Sequence, residues 1–104
     1  MKCSLSARAL RQLDEIHRYI AEHDPSAAHT LMERVQSLLL ILEDQPYIGH
    51  PTRKSNVRVH ALVRYPYLLF YRVNTRKNEV EVFKVMHAAR RHPGFQESSE
   101  QFAR

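Results

Sequence analysis

Two apolar stripes at helical spacing, separated only by an Asp-Pro step, fill the first 44 residues and leave few ways to fold them. In the first, Leu10, Leu13, Ile16 or His17, and Ile20 recur every three or four residues. That spacing stacks them on one face and predicts a helix over 6–23, with Ser4 or Ser6 as its N-cap. In the second, Ala28, Leu31, Val35, Leu38 and Leu42 form a stripe that predicts a helix over 25–44. Met32, Leu39 and Ile41 widen this stripe, so the second helix is expected to be buried on more than one side. Asp24 suits the capping place, because its carboxylate accepts from orphan amides, and Pro25 suits the first helical position. Gln45-Pro46 ends the helix, since a residue before proline is pushed out of helical conformation. The short link makes a helical hairpin the expected arrangement.

After a loop over 46–56, rich in Pro, Gly, Ser and Asn, the period changes from helical to alternating. Val57, Val59, Ala61 and Val63 alternate with Arg58, His60, Leu62 and Arg64, a half-buried strand. Tyr65-Pro66 marks a turn. Tyr67 to Val73 is apolar on both faces apart from Arg72, which predicts a central strand in which Tyr67 and Tyr71 share the parity of Leu69 and Val73. Asn74 to Asn78 is a hairpin loop, and Val80 to Met86 is a third strand. Residues 2–5 are placed as an added edge strand. The expected class is α+β: an N-terminal helical hairpin packed on one face of a three- to four-stranded antiparallel sheet. One domain is expected over 1–95, followed by a polar tail over 96–104. Leu31, Val35, Leu38, Leu42, Leu69 and Val82 are expected in its core.

The charge is divided between the two halves. The chain carries +5 overall, but residues 1–45 carry −2, residues 46–95 carry +8 and the tail carries −1. Such a basic half calls for an acidic partner or a nucleic acid, against the plain reading of a solvated surface. The lone Cys3 excludes a disulfide within the chain and argues against a cysteine zinc site. No apolar run reaches membrane-spanning length, and Met1 to Leu5 lacks a secretory leader's apolar stretch, so a soluble cytoplasmic protein is expected.

Few chemistries are open to this chain. Only Gly49 and Gly94 are glycines, too few for a phosphate-cradling loop. The seven histidines lack the i, i+4 spacing that presents two imidazoles on one helical face: His17, His23 and His29 are six apart and the others are scattered. No metal and no cofactor is therefore expected. One acid–base reading remains, in which His87 works beside arginines that hold a phosphate. Its bland counterpart is a strand-end histidine that braces the fold.

In order, the chain carries Leu5-Ser6-x-x-Ala9, Ile16-x-x-Tyr19-Ile20, Pro25-x-x-Ala28, Leu38 with Pro46 and Gly49, Arg64-x-Pro66-Tyr67, Phe70-Tyr71-Arg72-Val73 and Val85-x-His87-x-x-Arg90. In this order and spacing the chain resembles the ParE-type toxins of the ParE/RelE superfamily of bacterial toxin–antitoxin systems, over about residues 4 to 92. The resemblance implies a growth inhibitor of the kind associated with plasmid stabilisation, neutralised by a cognate antitoxin with an acidic segment. It also implies a homodimer or a toxin–antitoxin hetero-oligomer. ParE-like members poison DNA gyrase, whereas RelE-like members cleave mRNA on the ribosome. The ribonuclease branch carries a basic residue on the central strand and others on the strand before it. Here the matching places hold Leu68, Val59 and Ala61, and Gly94-Phe95 lies where many ribonuclease members have a tyrosine. Gyrase inhibition without catalysis is thus the expected activity, with Arg64, Arg72, Arg90 and Arg91 contacting antitoxin or target. The alternatives are mRNA cleavage by His87, Arg58, Arg64 and Arg90, or an inactive member that only binds antitoxin. Direct nucleic-acid binding is disfavoured.

Overall fold

A computed structural model of the protein describes residues 1–89. The elements follow the order β1 (Lys2–Leu5), α1 (Ala7–Ala21), α2 (Pro25–Asp44), β2 (His50–Pro51), β3 (Val57–Ala61), β4 (Tyr67–Asn74) and β5 (Glu79–His87). The strands form one sheet in the order β1-β5-β4-β3-β2. β1 runs parallel to β5, and the other pairs are antiparallel. The sheet is therefore five-stranded and mixed. β1 is parallel because two helices and three strands intervene before β5, whereas a short turn permits only antiparallel pairing. The two-residue β2 lies inside the expected loop, too short for any alternation to show.

The helix ends are set by their caps. The Ser6 hydroxyl accepts from the Ala9 amide at 3.1 Å, and an Asp24 carboxylate oxygen accepts from the Ala27 amide at 3.0 Å. The buried residues of α2 are Ala28, Leu31, Val35, Leu38 and Leu42, the expected stripe. The expected wider burial is only partial, since Leu40 is exposed and Ile41 is 43% exposed. In α1 the inward stripe is Ala9 and Leu13, with Ile16 and Ile20 packed against the core, and Leu10 is 56% exposed. The cause is close approach: α1 lies so near β5 that the Gln12 side-chain oxygen accepts from the Val85 amide at 2.7 Å.

The core lies between the hairpin and one sheet face, and it holds Leu13, Leu31, Leu42, Leu69, Tyr71, Val80 and Val82. A smaller apolar cluster, Val57, Val59, Phe70 and Met86, lies on the other face. β4 contributes to both clusters, as expected of a central strand. No helix among the described residues is long and apolar enough to cross a membrane. The expected tail over 96–104 lies outside the described residues.

Leu38→Asp places a carboxylate among the apolar side chains of the seam between α2 and the sheet. Burying a charge there costs several kcal/mol, a large share of the roughly 5–15 kcal/mol that holds a domain folded. The expected outcome is loss of the cooperative thermal transition followed by circular dichroism. A normally stable variant would refute the burial of this stripe.

Candidate functional site

The sequence-predicted residues fall in different parts of the fold. Arg58 projects from β3 toward the helix side, opposite Tyr71. Its guanidinium donates to the carbonyl oxygens of Tyr47 at 3.0 Å and Gly49 at 2.8 Å, and lies 5.1 Å from the Tyr47 ring centroid. Beside it the Tyr71 hydroxyl accepts from the Gly49 amide at 2.9 Å and donates to the Pro46 carbonyl at 2.8 Å. Arg58 thus holds the α2–β2 loop. Burial raises the Tyr71 phenol above its ordinary value, while the Gly49 hydrogen bond and the Arg58 charge pull the other way.

Arg72 lies on the opposite sheet face. Its guanidinium carbon sits 4.1 Å from the Phe83 ring centroid, and it pairs with Glu81 at 3.8 Å. His87 closes β5 opposite Tyr67 and meets that ring edge-on at 5.0 Å between centroids. The His87 Nδ1 is 3.0 Å from the Ala89 amide and accepts from it, which assigns the ring proton to Nε2. Along β4 the partners of Arg58 and His87 are Tyr71 and Tyr67, four residues or roughly 13 Å apart. Arg58 and His87 are therefore not brought together. Arg64 sits in the β3–β4 turn, and Arg90 and Arg91 lie outside the described residues.

Two basic residues escaped the sequence reading. An irregularity in the β4–β5 ladder between Phe70 and Tyr71 leaves Phe83 as an extra residue in β5. This bulge turns both Phe83 and Lys84 to the helix-free face. There Phe83 packs on the smaller cluster, and the Lys84 Nζ lies 5.3 Å from the Phe70 ring centroid. Burial lowers the Lys84 ammonium below the usual lysine value, and the nearby charges of Arg8 and Lys54 add to that. Arg8 and Lys84 also line a groove of about 700 Å³ between α1 and β5, with Gln12, Glu15, Tyr19 and His87. The bulge had a signal: Val80, Val82 and Val85 step by two and then by three. Among the described residues no group of three or more His, Cys, Asp or Glu could hold a metal ion.

Residues 4–92 match the family model for the ParE toxin of the type II toxin–antitoxin system parDE. The chain belongs to the ParE toxin family. It is 38% identical over 86 residues to the protein named "Putative toxin Y4kP" of Sinorhizobium fredii, covering 83% of this chain and 86% of that one. The fold is shared with the chromosomal ParDE system of P. aeruginosa, at a TM-score of 0.72 and 20% identity over 84% of this chain and 95% of that one. It is also shared with the intact RelBE toxin–antitoxin complex of E. coli, at a TM-score of 0.63 and 22% identity over 85% of this chain and 96% of that one. The ParE-type chain is thus a toxin-family member of the ParE/RelE superfamily, with the α+β fold expected of it.

Two expectations follow for this ParE-family chain. Tyr71→Phe strips a partner from the buried Gly49 amide and from the Pro46 carbonyl, at a cost of about 1–3 kcal/mol. The Tm should fall by at least several degrees, with the far-ultraviolet spectrum unchanged. The second concerns Cys3, whose thiol burial and the Glu43 carboxylate push up to about 11 from an ordinary 9.0. Because the folded value is the higher one, this thiol rests neutral. The stability linked to it is full below the ordinary value and falls as pH rises toward the folded one. Alkylation by iodoacetamide at pH 8 should run at least tenfold slower than in the unfolded chain, by about the ratio of thiolate fractions. Equal rates would remove this account of Cys3.

Proposed function

We propose that this chain is a growth-inhibiting toxin that binds DNA gyrase and arrests its cycle, and that a cognate antitoxin with an acidic segment neutralises it. The observation that carries gyrase inhibition over mRNA cleavage is Leu68. It packs at the margin of the apolar cluster of Val57, Val59, Phe70 and Met86 on the helix-free sheet face. In the ribonuclease reading that central-strand place needs a cation to hold a phosphate. Arg58 is committed to the loop carbonyls and stands apart from His87, so the described members of the acid–base set do not converge. A face with an apolar centre and cations stacked at its margin, Arg72 on Phe83 and Lys84 on Phe70, suits contact with protein. Arg72 and Lys84 are the residues of this face assigned to the target.

The test pairs two assays. Purified protein in excess over gyrase should abolish supercoiling of relaxed plasmid, while transcripts in a translating extract stay intact. Arg72→Glu should weaken inhibition about tenfold or more, as expected when a charge-assisted contact is reversed. Unaffected supercoiling at excess protein would sink the gyrase reading, and cleaved transcripts would put the ribonuclease in its place.

A further inference from the structure

The groove between α1 and β5 has its charges unbalanced at one end. Arg8, Gln12 and Tyr19 stand along one stripe of α1, with Lys84 and His87 on the β5 wall. At 1.5 Å per residue the stripe runs roughly 16 Å from Arg8 to Tyr19. The Ser6 amide donates to the Val82 carbonyl, and the Gln12 side chain takes the Val85 amide. These two bonds set the start of α1 beside Lys84 and place Tyr19 at the far end.

Arg8 and Lys84 share this end of the groove without a counter-charge. Neither makes an ion pair with any described residue. Arg8 also stands in the first turn of α1, where unpaired amides gather partial positive charge and no acidic residue offsets it. A carboxylate is the side chain that such a place ordinarily favours, and a cation there is repelled. Lys84 feels the same crowding: burial first, and then the charges of Arg8 and Lys54, hold its ammonium below the usual lysine value. The carboxylate that lines the groove, Glu15, is seven residues from Arg8, roughly 10 Å along the helix. Two cations held together with no counter-ion cost the free protein stability that a bound anion restores. Departures of this kind from local electrostatic rules are expected at functional sites.

Phosphate suits this end better than a carboxylate does. It carries up to two charges and several acceptor oxygens, so one group answers both cations, and an arginine fork takes two of its oxygens at once. The groove, about 700 Å³, has the size of a small-molecule site. Its far end offers the Tyr19 ring, 68% exposed, as a flat apolar surface.

We propose that Arg8 and Lys84 form a phosphate-binding site at the α1 end of this groove, for inorganic phosphate or the phosphate group of a small molecule. The Arg8 fork takes two oxygens and the Lys84 ammonium a third. The site depends on no reading of the toxin's target. Its occupation would neutralise Lys84, one of the two cations assigned to that target.

The test is calorimetric titration of the wild-type chain at low ionic strength with inorganic phosphate, adenosine monophosphate and acetate. The two phosphates should bind at least tenfold more tightly than acetate. Arg8→Gln removes an exposed side chain with no partner, so it should fold as wild type and bind phosphate about tenfold or more weakly. Lys77→Gln, in the hairpin loop between β4 and β5, should leave the affinity unchanged. The Lys84 ammonium, followed by nuclear magnetic resonance, should titrate higher when phosphate is added. It should also titrate higher in the Arg8→Gln chain without phosphate, which a diffuse surface charge would not produce. Tighter binding of adenosine monophosphate than of phosphate would assign the site to a phosphorylated ligand, and equal binding to free phosphate; each outcome supports the site. Phosphate binding no tighter than acetate would overturn it. So would equal weakening by Arg8→Gln and Lys77→Gln, which would reduce the effect to net charge.

Discussion

The bond on which the rest of this fold hangs is made by one buried phenol. Tyr71 sits at the centre of the central strand, fully buried, with its hydroxyl between the Gly49 amide and the Pro46 carbonyl. These two partners lie in the loop that carries the chain from the helical hairpin to the sheet. That loop has little regular structure to satisfy its backbone, and a buried unpaired amide is costly. The hydroxyl answers one donor and one acceptor, and Arg58 answers two further carbonyls from the other side. The approach is so close that a Cβ on Gly49 would stand 2.6 Å from the Tyr71 oxygen and 2.8 Å from the Val59 carbonyl. Gly49 is required there for lack of space, independently of any turn geometry. With the loop pinned, β2 is laid against β3 and α2 is held over the sheet.

A second constraint follows on the opposite face. The helix hairpin covers only one side of the sheet, yet Val57, Val59, Phe70 and Met86 are buried on the other. The Arg72 guanidinium and the Lys84 ammonium lie over the Phe83 and Phe70 rings, so the cations themselves cover apolar surface on this face. The bulge in β5 makes this arrangement work. Strict alternation would return Lys84 to the helix side. The extra residue keeps Phe83 and Lys84 on one face and lets Val85 rejoin the core. One irregular residue therefore serves packing on one side and electrostatics on the other.

Most of the architecture was legible because periodicity reports which face is buried. The α2 stripe from Ala28 to Leu42 and the Asp24 cap sit where the sequence placed them, and of the two serines offered as the α1 cap it is Ser6 that serves. Leu10 misled because helical spacing does not say how near the sheet lies, and near contact favoured Ala9. β2 escaped because two residues have no period, and the mixed sheet because strand direction depends on a partner far along the chain. Arg58 looked like a free cation in an alternating strand. Its tie to the 46–49 loop is a contact between segments that no local pattern records. Lys84 was hidden in the same way by a bulge, although the irregular step from Val82 to Val85 marked it. The family resemblance was readable across most of the chain, since it rests on the order of such patterns.

The charge asymmetry changes meaning once four described cations of the +8 segment have a place. These four do not form one basic patch. Arg58 is internal to the loop clamp, Arg72 and Lys84 sit on aromatic rings of the helix-free face, and Arg64 stands on the strained turn beside the β3 edge. A continuous cationic stripe tracks a nucleic-acid backbone, whose charges repeat at short, regular intervals. Cations set singly around apolar centres instead fit carboxylates placed singly on a protein surface, where each fork pairs in one geometry.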